Sequence, residues 1–248
     1  MNIVAIGGGE MGRPGTRVET LKIDKEILAL CEKKSPRLLF VPTASHDSQE
    51  YIEVVKRHFG KRLGCRVDTL LLYGKKLAKS EIEKKIMAAD IIYVGGGNTL
   101  NMLRMWRKLG VDKVLAKAAA KGKVLAGLSA GAVCWFRYAN SDSRKMVDPS
   151  ADYIRVRCLN FMPLFLVPHF DAEKGRQASL KRMLKGTRQT AIGLDNCSAL
   201  MITGDNYRIV TSSPTATARL CYWKGGNYFS KKIQQNQKFS LANFNKAA

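Results

Sequence analysis

Acidic residues are scarce in this chain: 20 Asp and Glu stand against 42 Lys and Arg among 248 residues, a formal charge of +22. Such a deficit invites a nucleic-acid reading. The cations are nevertheless spread over amphipathic stretches such as Lys113–Lys123, with no long basic run and no nucleic-acid fold signature. Only Lys174–Arg188 and the segment beyond Asp205, which has no acidic residue, are locally lopsided. We therefore expect a solvated basic surface with weak, salt-sensitive attraction for polyanions and no dedicated nucleic-acid partner. Long apolar runs are missing too. The longest uncharged one, Val124–Phe136, falls short of the roughly 20 residues a spanning helix needs, so no membrane partner is expected. The six cysteines are scattered singly, without the close pairs of a zinc site or the density of a disulfide scaffold, which points to a reducing cytoplasm. Met1–Ile6 lacks the basic region of a signal peptide and reads as a first strand. No repeat or low-complexity tract divides the chain, and residues 1–248 are expected to form one α/β domain.

What is present is an alternation of short apolar runs with amphipathic stretches, the pattern of βα units on a mostly parallel central sheet with helices on both faces. The apolar runs Ile3–Ile6, Arg37–Val41, Arg66–Leu72, Asp90–Val94 and Lys123–Ala126 predict strands. Val18–Cys31, Ser48–Leu63, Ser80–Ala88, Thr99–Trp106 and Val111–Lys121 between them predict helices. Further on, the sequence predicts a loop over Tyr138–Arg157, a strand over Leu164–Val167 and a basic helix over Arg176–Lys185. Strands near Ala191–Leu194, Ala199–Ile202 and Tyr207–Thr211 follow, and after about residue 212 a closing hairpin turning at Gly225-Gly226-Asn227 and a frayed tail.

Three segments carry chemistry. Gly127-Leu128-Ser129-Ala130-Gly131 follows an apolar strand and leads into a predicted helix, the nucleophile-elbow pattern in which glycines permit the tight turn and the serine hydroxyl is exposed at its tip. Val94-Gly95-Gly96-Gly97-Asn98-Thr99 ends another strand; it lacks the lysine of a P-loop and does not match Gly-x-Gly-x-x-Gly. In a parallel sheet both strand ends face one crevice, where the N–H groups of Gly97 and Ala130 would form an oxyanion hole. A serine nucleophile needs a base, and the chain has three histidines. His46 lies in a turn, and His58 sits in a basic amphipathic helix where a solvated face accounts for it. His169, closing the strand in Val167-Pro168-His169-Phe170, has the clear route to the sheet's carboxyl edge.

Together these segments resemble peptidase family S51, the peptidase E and cyanophycinase group, over Ile3 to about Thr211. The resemblance implies a class I glutamine amidotransferase-like, flavodoxin-like fold and a serine peptidase acting next to aspartate, for example on Asp-X dipeptides. It implies Ser129 as nucleophile, His169 as base, Gly97 and Ala130 as oxyanion donors, and Arg176 as partner of a substrate carboxylate, to which a guanidinium binds bidentately. The chain departs from the family at the third catalytic position: where relatives carry glutamate after Gly-Leu-Pro or Gly-Ile-Asp, Gly193-Leu194-Asp195 is followed by Asn196. Asn can orient an imidazole but brings no charge. Asp195 beside it, and Asp142 beyond the elbow, stay open as the orienting group.

A small peptide is thus the expected substrate, and neither a metal nor an organic cofactor is called for. An amidase, or a degenerate binding protein on the same fold, is the alternative. A glutaminase on this scaffold would carry cysteine at the elbow.

Overall fold

The computed structural model describes residues 1–74 and 77–247, with side chains as far as residue 244. Five of the apolar runs form a parallel array in which β1 (Asn2–Ile6), β5 (Val124–Leu128), β4 (Ile91–Val94), β2 (Arg37–Val41) and β3 (Arg66–Thr69) lie side by side. On the other side of β1 the sheet continues antiparallel through β10 (Ser198–Thr203), β11 (Asn206–Thr211) and β14 (Phe239–Ser240), giving eight strands.

Side chains of a strand alternate between faces, and both faces here are apolar because both are covered. On one, Leu39, Val41, Ile92, Val94 and Leu125 pack with residues of α3 (Lys79–Ala88), α4 (Thr99–Leu109) and α5 (Val111–Ala120). On the other, Leu38, Phe40, Ile91, Tyr93 and Val124 pack with α1 (Leu21–Ala29) and α2 (Gln49–Val55). The chain runs on from α2 through π-helical turns over Lys56–Arg62, and His58 within them is not on a solvated face: it is buried, bonded through Nε2 to Asp24 Oδ2 at 2.8 Å. Burial pushes the Asp24 carboxyl above its ordinary range despite that partner.

The anticipated single sheet proves incomplete. The elbow helix, α6, is only Ala130–Val133, and the chain then enters a second, six-stranded sheet. It is built from β6 (Phe136–Ser141), β7 (Ile154–Arg157), β8 (Met162–Val167), β9 (Ala191–Leu194), β12 (Ala218–Lys224) and β13 (Asn227–Lys232). Two of these strands occupy the ends of the predicted loop over Tyr138–Arg157. β7, Ile-Arg-Val-Arg, alternates apolar and charged residues as an edge strand does, but at four residues it is short enough to pass for loop. One face of this sheet shares the core of α3–α6, while Phe165, Val167 and Ala191 on the other are capped by Leu180 and Leu184 of α7 (Arg176–Leu184).

The predicted closing hairpin is β12–β13. The tail beyond it docks instead of fraying. β14 pairs with β11, and Phe244 of α8 (Ala242–Ala247) is buried, its ring stacked on Tyr207 at 4.3 Å between centroids. An aromatic spacing that reads as loop alone becomes an anchor once Tyr207 is beneath it.

Candidate active site

The catalytic candidates meet where the two sheets adjoin. Ser129 follows β5 of the first sheet, His169 follows β8 of the second, and Asn196 lies in the turn from β9 to β10 that carries the chain from one sheet to the other. Carbonyls at the end of β1 and in the loop after it tie the three segments together. Ser129 N–H donates to Ile6 O at 3.0 Å, His169 N–H to Gly7 O at 3.0 Å and Cys197 N–H to Gly8 O at 2.9 Å. A side chain at Gly8 would occupy the place of the Asn196 amide oxygen and the His169 ring. Gly8 thus leaves room for the His169–Asn196 contact, and Gly7-Gly8-Gly9 directly after the first strand is the sequence signal for such a close approach of backbone to side chains.

Ser129 Oγ lies 2.8 Å from His169 Nε2, and His169 Nδ1 lies 2.7 Å from Asn196 Oδ1. An amide oxygen only accepts, so Nδ1 carries the proton and Nε2 is left to accept the serine O–H. Asn196 is itself placed by its backbone N–H, which donates to Asp171 Oδ1 at 2.9 Å. Neither the Asp195 nor the Asp142 carboxylate bonds to His169. Asp195 is buried, and its Oδ2 accepts from Thr217 N–H at 2.9 Å and Thr217 O–H at 2.8 Å, which holds the turn to the start of β12. Asp142 lines the cleft but faces Arg176, 3.8 Å away.

Ser129 has φ 55° and ψ −111°, and His169 has φ 49°, backbone values that non-glycine residues seldom adopt. They aim both side chains out of the strand ends into one space. The three glycines after β4 shape its wall. A Cβ at Gly95 would come within 2.9 Å of the Tyr51 ring, one at Gly97 (φ +134°) would strike the Ala44 carbonyl, and Gly96 packs against Ser129. Among the described residues, the N–H groups of Gly97 and Ala130 have no acceptor.

The resulting cleft has a volume of about 540 Å³, a size suited to a small ligand. Carboxylates of Glu10, Glu19, Glu50 and Asp142 line it beside one cation, Arg13. That guanidinium is engaged by Glu10, with Nε 2.8 Å from Oε2. Among the described residues no group of His, Cys, Asp and Glu is placed to hold a metal, and no helix is long and apolar enough to cross a membrane.

Arg176 does not reach this cleft. Its side chain is 1% exposed, donates from Nε to Glu173 Oε2 at 3.0 Å and from Nη1 to Asn140 O at 2.8 Å, and lies over the Tyr153 ring at 4.7 Å. The resemblance implied a guanidinium presented to a substrate carboxylate; instead the residue pins α7 to β6. Arg176→Ala is accordingly expected to lower stability by about 2 kcal/mol, since it removes a buried guanidinium and its bond to Asn140 O, while the partly exposed Glu173 carboxylate can turn to water. The ratio of activity on Asp-Leu to that on Ala-Leu should stay at the parental value. Thermal unfolding and the two rates check this, and an altered ratio in a folded variant would restore Arg176 to substrate recognition.

A family model described as "Peptidase family S51" matches residues 3–210. The chain is 36% identical over 182 residues to "Uncharacterized peptidase YgaJ" of Bacillus subtilis, covering 73% of this chain and 74% of that protein. It is 26% identical over 199 residues to "Peptidase E" of Shewanella denitrificans, covering 75% and 79%. Among solved structures, a peptidase from an acI-B1 Actinobacterium superposes with a TM-score of 0.72 at 19% identity, covering 97% of this chain and 96% of that one. A putative peptidase E protein from Listeria monocytogenes EGD-e gives 0.64 at 22% identity, covering 86% and 98%. The shared fold is class I glutamine amidotransferase-like.

Proposed function

Because this chain belongs to peptidase family S51, and is therefore a peptidase, we propose that it hydrolyses short peptides as a serine enzyme through an acyl intermediate on Ser129. The observation that carries this reading is the unbroken hydrogen-bonded series Ser129–His169–Asn196 at the floor of an open cleft.

In this mechanism Ser129 Oγ attacks the scissile carbonyl carbon while Nε2 of His169 takes its proton. The carbonyl oxygen, now negative, is met by the N–H groups of Gly97 and Ala130, which are already in place and so cost no reorganisation. His169 returns the proton to the leaving nitrogen, and the C–N bond breaks. Water then attacks the acyl-enzyme with His169 again as base, freeing the acid and restoring the serine. Asn196 holds the imidazole in the tautomer that has Nε2 unprotonated, but it adds no negative charge beside the imidazolium.

Specificity for Asp-X peptides has less support. The cation that the resemblance offered for the aspartate carboxylate is sealed behind the cleft, and Arg13 would have to leave Glu10 to replace it. Labelling of the protein by a fluorophosphonate, followed by a screen of Asp-X, Glu-X and neutral dipeptides, tests the reading. An activated serine labels; an inert one would mark a binding protein on a peptidase fold.

A further inference from the structure

One side chain in the cleft has a place that packing alone does not explain. Tyr51 stands in the first turn of α2, where Ser48 caps the helix by accepting the Tyr51 N–H at 3.3 Å. Its ring meets Phe40 edge-on, with centroids 5.0 Å apart at 64°, and lies over Gly95, where nothing larger than glycine fits. The ring is thus held between Phe40 and Gly95, and the hydroxyl is delivered to one point: Gly96 N–H donates to it at 3.3 Å. Gly96 in turn abuts the nucleophile, since a Cβ built there would lie 3.5 Å from Ser129 Cβ.

A phenol oxygen that accepts one hydrogen bond still has a proton to donate. Among the described residues the Tyr51 O–H has no acceptor, and the residue lines the same cleft as Gly97 and Ser129. Burial pushes the phenol up to about 12, so the proton stays on near neutral pH. The incoming Gly96 N–H also polarises the hydroxyl and makes it a stronger donor.

We propose that the Tyr51 hydroxyl donates a hydrogen bond to the oxyanion that forms when Ser129 attacks, beside the N–H groups of Gly97 and Ala130. This rests on the serine peptidase reading. A side-chain donor compensates in part for the uncharged Asn196, because charge developing on the carbonyl oxygen is met by a preorganised dipole.

Tyr51→Phe tests it, because the variant keeps the ring packing and loses only the hydroxyl. Loss of one oxyanion donor is expected to lower kcat by about 10²-fold, with KM within about twofold of the parent, as for an interaction made only in the transition state. Affinity for a peptide aldehyde, which forms a tetrahedral adduct on the serine, should fall with kcat. Affinity of an uncleaved peptide, measured calorimetrically in a Ser129→Ala background, should not change when Tyr51→Phe is added. If aldehyde and peptide binding fall together, Tyr51 is a positioning residue for the ground state and the proposal fails. A Phe variant with parental kcat and parental fluorophosphonate labelling overturns it while leaving the peptidase reading intact. A parent protein that the fluorophosphonate does not label overturns both.

Discussion

Ser129→Ala should bring peptide hydrolysis to the background rate while the protein folds as before, a loss on the order of 10⁴–10⁶-fold in kcat. The expectation follows from where the residue sits. Its hydroxyl is the one group bonded to Nε2 of His169, and among the described residues no cysteine lies at the elbow tip that could attack in its stead: Cys134 is buried within the core, beyond the end of α6. The substitution removes the hydroxyl of a partly buried residue whose side-chain hydrogen bond is the one to His169, so unfolding should be nearly unaffected. Substrate should still bind, because the cleft and the two free N–H groups are untouched. The measurement is single-turnover hydrolysis beside binding of the same peptide. A folded alanine variant with substantial turnover would show that the chemistry lies elsewhere.

Asn196 gives the second large effect, and its sign depends on what replaces it. Asn196→Ala removes the acceptor of the Nδ1 proton, so the ring can rotate and take the wrong tautomer; kcat should fall by about 10²–10⁴-fold with little change in KM. Asn196→Asp is expected to keep kcat or raise it. Asparagine has an oxygen end and a nitrogen end, and only the oxygen end sets Nε2 free to accept. Aspartate presents acceptors alone and also stabilises the imidazolium. The two variants should therefore separate by at least about 10²-fold in kcat, and near-equal values would mean that the bond at 2.7 Å between Nδ1 and Oδ1 is not used in turnover.

The parallel half of the fold was readable because its signals are local. β2 and α5 begin at the predicted residues, since β2 is an apolar run after Pro36 and α5 a helical period after Gly110. The positions of Ser129 and His169 were legible for the same reason: each lies just beyond its own strand end. Asn196 could not be separated from Asp195 and Asp142 in that way. That Asn196 is the one bonded to the His169 ring follows from a turn joining two sheets and from the Asp171 carboxylate that seats it, all contacts between segments distant in sequence. Arg176 misled because a cation at a helix start ordinarily faces water. Nothing nearby in sequence except Glu173 hinted that Asn140 and Tyr153 would enclose it. The tail misled in the opposite direction, since the partner of Phe244 is Tyr207 on a strand laid down earlier.

The backbone at Ser129 and His169 has an evolutionary consequence. Residues other than glycine held at such angles cost on the order of 1–3 kcal/mol each, a sizeable share of the roughly 5–15 kcal/mol by which domains stay folded. The surrounding sheets must supply that margin for as long as hydrolysis is selected. A descendant that no longer needed to cut peptides would gain stability by drifting to glycine at either position. Ser129 and His169 are thus two places where the side chain is kept against the preference of the backbone that carries it.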